Sequence, residues 1–97
     1  MDSTLKIVIE HEPDRRRFVA HVGTELAVLE YSPAGENTLD YYRTYVPRSL
    51  RGRGIASELT AHALDYALGE NLKIVPSCPF VAALMDRQPK YRALRRP

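Results

Sequence analysis

Hydrophobic and polar positions alternate along the first half of the chain, as they do in strands whose two faces meet different surroundings. Segments with this alternation, or with the β-branched and aromatic composition of strands, are 5–10, 17–22, 25–31 and 38–46. Turn-forming residues separate these segments at 12–14, at Gly23 and at 32–37. Because short turns join antiparallel neighbours, the pattern predicts a four-strand antiparallel meander.

The hydrophobic pattern changes from the strand period to the helix period after Pro47. Between 52 and 68 the apolar residues fall on one stripe and predict a helix, with Ile55, Leu59, Ala63 and Tyr66 on the buried side. The apolar segment 72–75 follows as a fifth strand. A helix that crosses over between two strands makes them parallel, so strands four and five are expected side by side.

Two short helical segments are expected near the end of the chain. Pro79 suits the first position of a helix that runs to about residue 87, and a final turn or helix follows at 90–95. No internal repeat or linker interrupts the 97 residues, which predicts one domain over 1–97. The expected fold class is α+β (α/β): an antiparallel meander, a central helix, a parallel pair of strands and short C-terminal helices.

Glycine and arginine are concentrated just before the central helix, where Gly52 and Gly54 stand among Arg48, Arg51 and Arg53. A helix start leaves amide groups without partners and carries the positive end of the helix dipole. Glycine lets a ligand approach that backbone, and arginine adds bidentate donors. The stretch indicates an anion site, for phosphate above all, or else a solvated basic loop whose glycines only make the turn.

Composition narrows the class of protein. The apolar 44% and charged 27% are those of an ordinary folded domain, and a net charge of +2 is too small to indicate nucleic acid by itself. The lone Cys78 excludes an intramolecular disulfide, and no Cys/His spacing resembles a zinc site. The first ten residues carry charges and lack the apolar run of a signal peptide. We therefore expect a cytoplasmic protein without a membrane-spanning segment.

Two motifs resemble those of a known family. The run Arg51-Gly52-Arg53-Gly54-Ile55-Ala56 resembles the Arg/Gln-x-x-Gly-x-Gly/Ala signature of the GCN5-related N-acetyltransferases. The tetrad Cys78-Pro79-Phe80-Val81 is similar to that of a small, single-domain subgroup of the superfamily. The resemblance extends over nearly the whole chain. It implies the fold of that superfamily, and acetyl-CoA as the donor of an acetyl group to an amine.

The resemblance also implies where acetyl-CoA would bind. The pyrophosphate would sit on the amides of the glycine loop, and the pantetheine arm would lie between splayed strands four and five. The thioester would then lie near Tyr45 and Cys78. Cofactor contacts are expected from Val46, Arg51, Gly52, Arg53, Gly54, Ile55, Ala56, Cys78 and Phe80.

Two residues are candidates for the chemistry. Cys78 would be an acyl-accepting nucleophile or a thiol beside the acetyl group, and the alternative is a buried structural thiol. Tyr91, in a Pro-x-Tyr element, would protonate the departing CoA thiolate, and the alternative is C-terminal packing. The subgroup usually has histidine where this chain has Arg43 and Gln88. No general base is therefore identified from the sequence.

Three functions stay open at this point. The first is an N-acetyltransferase that acts on a small amine, a polyamine or a protein lysine. The second is a CoA-binding protein with weak or lost catalysis. The third is a nucleic-acid-binding module that uses the arginine clusters at 15–17, 48–53 and 92–96.

Overall fold

Five strands form one sheet in the computed structural model, which describes residues 6–96. The strands follow chain order across the sheet: β1 Val8–Glu12, β2 Arg17–Val22, β3 Glu25–Pro33, β4 Thr38–Tyr45 and β5 Lys73–Val75. The first three pairings are antiparallel, and β4 pairs with β5 in parallel. The predicted α+β arrangement of a meander with a parallel pair at its end is confirmed.

Three α-helices accompany the sheet: α1 Ile55–Gly69, α2 Pro79–Arg87 and α3 Pro89–Arg92. α1 ends with Gly69 as its last residue, and Asn71 two positions later is in the left-handed region at φ 58°. α2 and α3 both have proline at the start, where a missing amide hydrogen costs nothing. Short 3-10 turns at Pro13–Arg15 and Arg48–Leu50 complete the described chain.

Several predicted boundaries differ from the structure. β1 runs to Glu12, where a turn was expected, and the expected strand position at Leu5 lies outside the described residues. β3 continues to Pro33, because the hydrogen-bonded ladder with β4 continues past the turn-forming composition to the Pro33–Leu39 pair. α1 begins at Ile55 and not at residue 52, because Gly52 and Gly54 have φ of 80° and 78°, which a right-handed helix excludes.

The core lies between one face of the sheet and the helices. Phe18 and Leu29 from the sheet and Leu59 from α1 are fully buried there, together with residues of α2 and α3. The Tyr41 hydroxyl donates to the Ala63 carbonyl at 2.8 Å, which ties β4 to α1. The predicted helix stripe is corrected in one respect: Tyr66 is only half-buried, whereas Leu64 and Thr60 are fully buried.

The opposite face of the sheet, called the outer face below, carries a row of alternating charges. Glu12, Arg17, Glu30 and Arg43 are paired across four strands. Arg17 bonds Glu12 at 2.6 Å, and Arg43 bonds Glu30 at 2.8 Å. Val19 and Val28 are the buried apolar residues that lie outside the core of the described chain. The outer face is therefore polar, and its charged side chains are paired with one another.

Two irregularities shape the β4 side of the sheet. The register between β3 and β4 shifts so that Glu30 pairs with Arg43 and Tyr31 with Tyr41, which leaves Tyr42 as the extra residue of a bulge. On the far side of β5, the Ile74 amide donates to the Leu94 carbonyl at 2.8 Å, and the Arg96 amide donates to the Ile74 carbonyl at 2.9 Å. The residues after α3 therefore cover the edge of β5.

Candidate functional site

The glycine–arginine stretch makes an exposed turn that leads into α1. Gly52 and Gly54 both have positive φ, and a Cβ at either position would meet no protein atom within 4 Å. Gly54 is the N-cap of α1, and no side chain among residues 6–96 caps the helix. The first amide groups of α1 therefore lack partners within the helix and face an open approach. This geometry suits an anion, because the helix dipole adds positive potential at the same place.

A cavity of about 260 Å³ lies against this turn. It is lined by the end of β4, the turn itself, the first residues of α1 and one side chain of α2. The lining residues are Val46, Leu50, Arg51, Gly52, Gly54, Ile55, Ala56, Ser57 and Phe80. The structure thus brings together the residues expected to contact the cofactor, except Arg53 and Cys78.

Arginine is concentrated along the chain beside the cavity, and Arg51 lines it. Arg51 donates from Nε to the Val46 carbonyl at 2.9 Å, which fixes the turn against the end of β4. Arg48, Arg51 and Arg53 are all exposed. Arg53 does not line the cavity. It would therefore add to the positive electrostatic potential near the cavity and would not contact a ligand inside it.

β4 and β5 separate next to this cavity. Their parallel ladder ends at the pair Asp40–Val75, while β4 continues to Tyr45. Beyond that pair, the Cys78 amide donates to the Tyr41 carbonyl at 3.0 Å and joins the two sides again. The fork expected between strands four and five is thus bounded by the second half of β4 and by the start of α2.

Cys78 lies at this fork, buried, immediately before α2. Its Sγ faces the Thr44 hydroxyl at 3.6 Å. Burial raises the pKa of the thiol, but the Thr44 hydroxyl and the amides of Val81, Phe80 and Thr44 outweigh it, so the pKa lies below that of an ordinary cysteine. The neutral Cys78 side chain is at the N-cap position of α2 but makes no capping hydrogen bond to the described amides of that helix. The surroundings of Cys78 therefore ease the loss of the thiol proton relative to an ordinary cysteine.

Tyr91 is buried in α3 and faces α1. Its hydroxyl donates to Asp65 Oδ1 at 2.8 Å, and Lys90 Nζ lies 4.9 Å from the centre of its ring. Burial, followed by the Asp65 carboxylate, raises the pKa of Tyr91 to about 12. The hydrogen bonds of Tyr91 thus go to α1, whereas those of Cys78 go to β4. A proton-donor role for Tyr91 stays a prediction, and its observed contacts are those of a packing residue.

The histidines of the chain take up structural contacts. His11 stacks on Phe18 with ring centres 4.2 Å apart, and its Nε2 lies 2.6 Å from the Tyr31 hydroxyl. Burial, and then the neighbouring His62, lower the pKa of His11. His21 pairs with Glu10 at 2.9 Å on the outer face. His11 and His21 therefore lie in the β1–β2 hairpin, and both are engaged with other side chains.

Sequence reasoning did not select three residues that the geometry places at the site. Leu50 and Ser57 line the cavity, and Thr44 contacts the thiol of Cys78. Leu50 was detectable as the apolar residue inside an otherwise polar basic loop. Ser57 lies outside the apolar stripe of the helix, and nothing in the strand sequence around Thr44 indicates that its hydroxyl would meet Cys78.

Within residues 6–96, no group of three or more His, Cys, Asp or Glu side chains is arranged to hold a metal ion. None of the described helices has the length and apolar character that a membrane crossing requires.

Comparison with known proteins gives a consistent result. The family model for the GCN5-related N-acetyl-transferase matches residues 17–94. Protein NATD1 of Xenopus tropicalis is 35% identical, with 99% of this chain and 90% of that protein aligned. Protein NATD1 of Homo sapiens is also 35% identical, with 93% of this chain and 81% of that protein aligned.

A solved structure has the same fold. The solution NMR structure of a GCN5-like protein from Staphylococcus aureus aligns with a TM-score of 0.68 and 25% identity, covering 98% of this chain and 91% of that one. Together with the family match over most of the chain, this likeness shows that the protein belongs to the GCN5-related N-acetyltransferase family.

Proposed function

We propose that the protein is an N-acetyltransferase that binds acetyl-CoA and transfers its acetyl group to a primary amine. One observation carries the proposal: an uncapped helix start, preceded by two glycines of positive φ, opens onto a cavity bordered by arginine. Membership of the family supports the same donor. Because Cys78 is a free thiol, a reducing cytoplasm is the compartment we propose.

In this proposal the cavity holds the phosphate-bearing part of the donor. The amides of Ile55 and Ala56 would donate to the pyrophosphate, and Arg51 and Arg53 would neutralise its charge. Val46 and Phe80 supply the apolar walls that lead from the turn to the fork. Gly52 and Gly54 leave open the space that a side chain would otherwise fill.

At the fork, the amine nitrogen would attack the thioester carbonyl. The N–C bond forms, the C–S bond breaks, the nitrogen gives up a proton, and the sulfur of CoA takes one. Cys78 would lie beside the acetyl group. The Thr44 hydroxyl and the amides that begin α2 would hold its side chain there.

A second candidate function is a CoA-binding protein with weak or lost catalysis. The observation that favours it is the engagement of Tyr91 with Asp65, together with arginine and glutamine in place of the histidines usual in the subgroup. The nucleic-acid-binding alternative has less support. Five arginines bond to groups of the protein itself and are less available to phosphates of a nucleic acid: Arg17, Arg43, Arg92, Arg95 and Arg96.

Calorimetric titration separates these functions. The purified protein is titrated with acetyl-CoA, with CoA, and with a short single-stranded oligonucleotide at moderate salt. Saturable binding of both CoA species without binding of the oligonucleotide is expected. Chromatography of acetyl-CoA and CoA after incubation with a panel of amines then distinguishes turnover from binding alone. Absence of any acetyl-CoA binding would rule out both the transferase and the CoA-binding protein.

A further inference from the structure

The outer face of the sheet carries apolar residues although no described helix covers it. All three α-helices bury their apolar side chains in the core, on the other face. Val8, Leu26 and Tyr45 point outward and are 44%, 39% and 43% exposed. Scattered apolar residues are normal on a protein surface, but these three lie around the buried pair Val19 and Val28. The outer face therefore offers apolar contact area to a partner.

Two rows of side chains cross the outer face from β1 to β4. The charge row alternates in sign from strand to strand and comprises Glu12, Arg17, Glu30 and Arg43. The valine row lies two residues away on each strand and comprises Glu10, Val19, Val28 and Tyr45. Because side chains two residues apart on a strand share a face, both rows are presented to the same partner surface.

The charge row is complementary to a reversed copy of itself. A two-fold axis parallel to the strands, between β2 and β3, sets β1 of one copy against β4 of the other, and β2 against β3. Glu12 then faces Arg43 of the second copy, and Arg17 faces Glu30 of the second copy. An axis across the strands at the charge row would set each strand against itself, so that like charges would meet. Electrostatic complementarity of this kind selects one orientation of the partner.

The axis along the strands also matches the valine row. Val19 faces Val28 of the second copy, which places four valines at the centre of the contact. Glu10 faces Tyr45 of the second copy, whose hydroxyl can donate to the carboxylate. Since the valines are already shielded within one chain, Tyr45 supplies most of the new contact area of this row. Tyrosine is favoured at interfaces for this combination of an apolar ring and a polar end.

The size of the outer face sets the expected strength of the contact. β1, β2, β3 and β4 have 5, 6, 9 and 8 residues. At about 3.3 Å per residue and about 4.8 Å between strands, the face covers roughly 400 Å² in projection, and protruding side chains make its accessible area larger. A specific interface of standard size hides about 800 Å² per partner. The contact is therefore near the lower end of specific interfaces, which corresponds to a reversible association.

We propose that the outer face is the interface of a two-fold symmetric homodimer, in which the charge row of each copy faces that of the other in reverse order. The dimer is independent of the proposed function. The cavity is lined by residues of α1 and α2, on the helix side of the sheet, so each copy keeps its cavity accessible.

Sedimentation equilibrium of the full-length protein measures this association. A monomer–dimer equilibrium is expected at concentrations between about 1 μM and about 1 mM. Its dissociation constant should rise as salt screens the charges that face each other. A protein that is still monomeric at about 1 mM would overturn the proposal, as would a dimer whose dissociation constant does not rise with salt.

Two half-inverted variants separate this interface from any other. One exchanges the first ion pair, by Glu12→Arg with Arg17→Glu, and the other exchanges the second, by Glu30→Arg with Arg43→Glu. Each variant keeps both ion pairs within the chain but meets like charges in a copy of itself, so self-association should weaken about 100-fold. An equimolar mixture of the two variants sets opposite charges against each other at all four contacts and should dimerise like wild type. Undiminished self-association of either variant, or a mixture that stays monomeric, would overturn the proposal.

The fully inverted variant, which combines all four exchanges, guards against a loss of folding. Half-inversion puts like charges on the neighbouring Arg17 and Glu30 positions of one chain, which costs stability, so Tm is measured for each variant. Full inversion keeps every neighbouring pair of the row opposite in sign. This variant should form its own dimer, yet native mass spectrometry should find no mixed dimer with ¹⁵N-labelled wild type, because like charges would then face each other. Mixed dimers in statistical proportion would refute this interface.

Discussion

α1 and α2 begin in opposite ways, although neither helix has a side-chain cap. α1 follows Gly54, which is exposed and left-handed, at the edge of a cavity. α2 follows Cys78, which is buried and extended. Both helix starts present amides that favour a negative charge. At α1 the charge would come from a ligand, whereas at α2 the hydrogen bonds around Cys78 lower the pKa of the protein's own thiol. The residue before each helix therefore determines whether its first amides are open to a ligand or face a side chain of the protein.

The largest effect is expected where the glycine itself is replaced. Gly54→Val should weaken CoA binding by at least about 100-fold. Two lost hydrogen bonds to a charged group cost about 1.5 kcal/mol each, and their sum is more than the roughly 2.8 kcal/mol that corresponds to 100-fold. The new side chain would enter the space that the protein leaves open. Calorimetric titration with CoA measures the change.

Gly23→Val is the matched control for this change. Gly23 also has positive φ, of 61°, with no protein atom near its Cβ position, and it lies in the turn between β2 and β3. Both variants should lose about 1–2 kcal/mol of stability through backbone strain. If Gly23→Val lost CoA binding to the same extent, strain and not phosphate contact would explain both results.

A smaller effect is expected from the arginine that joins the turn to β4. Arg51→Gln removes a positive charge and the bond to the Val46 carbonyl. CoA affinity should fall about tenfold, the effect of about 1.4 kcal/mol, and should depend less steeply on salt. Arg15→Gln, in the exposed turn before β2, should leave affinity unchanged. An unchanged salt dependence in Arg51→Gln would contradict a role in binding phosphate.

At α2 the corresponding experiment measures the reactivity of the thiol. Because the pKa of Cys78 is lowered, its alkylation by iodoacetamide should rise with pH to a midpoint below that of a free cysteine, about 8.5. Thr44→Val removes a hydrogen bond that favours the thiolate, so the midpoint should move up. The rate at pH 7 should then fall, because a smaller fraction of the thiol is ionised at that pH.

Thr60→Val provides the control for Thr44→Val. Thr60 is fully buried, and its hydroxyl has no partner among the described residues. The substitution should leave the alkylation profile of Cys78 unchanged and should not reduce stability. A matching shift of the midpoint in both variants would mean that repacking, and not the bond to Thr44, controls the thiol.

The smallest effect concerns an acidic residue that only one of the two helices has. Glu58 lies in the first turn of α1, while the first turn of α2 contains no acidic residue. Glu58→Gln should tighten CoA binding about twofold, a few tenths of a kcal/mol, by removing repulsion of the phosphates. Weaker binding in calorimetry would show instead that Glu58 organises the turn.

Most of the fold follows from periodicity, because alternation and helical spacing are strong where one face meets the core. The boundaries of β2 agree with the alternation around Phe18 and Val22. The bulge at Tyr42 was not predictable, since nothing in the run of strand-forming residues marks the extra one. The strand-like cover of β5 by Leu94–Arg96 was also missed, because its hydrogen bonds are long-range and made by the backbone.

The position of the glycine–arginine loop was predictable from the sequence, whereas the side chains that surround Cys78 and Tyr91 were not. Glycine and arginine before a helix are a local signal, and the cavity does lie beside them. The neighbours of Cys78 and Tyr91 are long-range: Thr44 on β4 contacts the first, and Asp65 on α1 contacts the second.

The cavity is built from chain segments that meet only when the fold is complete. Val46 to Ser57 supply most of its lining, and Phe80 joins them across the α1 crossover. Hairpins of the meander close over short loops, whereas the pairing of β4 with β5 must close a long one and is expected late in folding. A ligand of this cavity would therefore bind the finished protein and not its precursors. By mass action, the supply of that ligand would lengthen the lifetime of the protein against proteolysis.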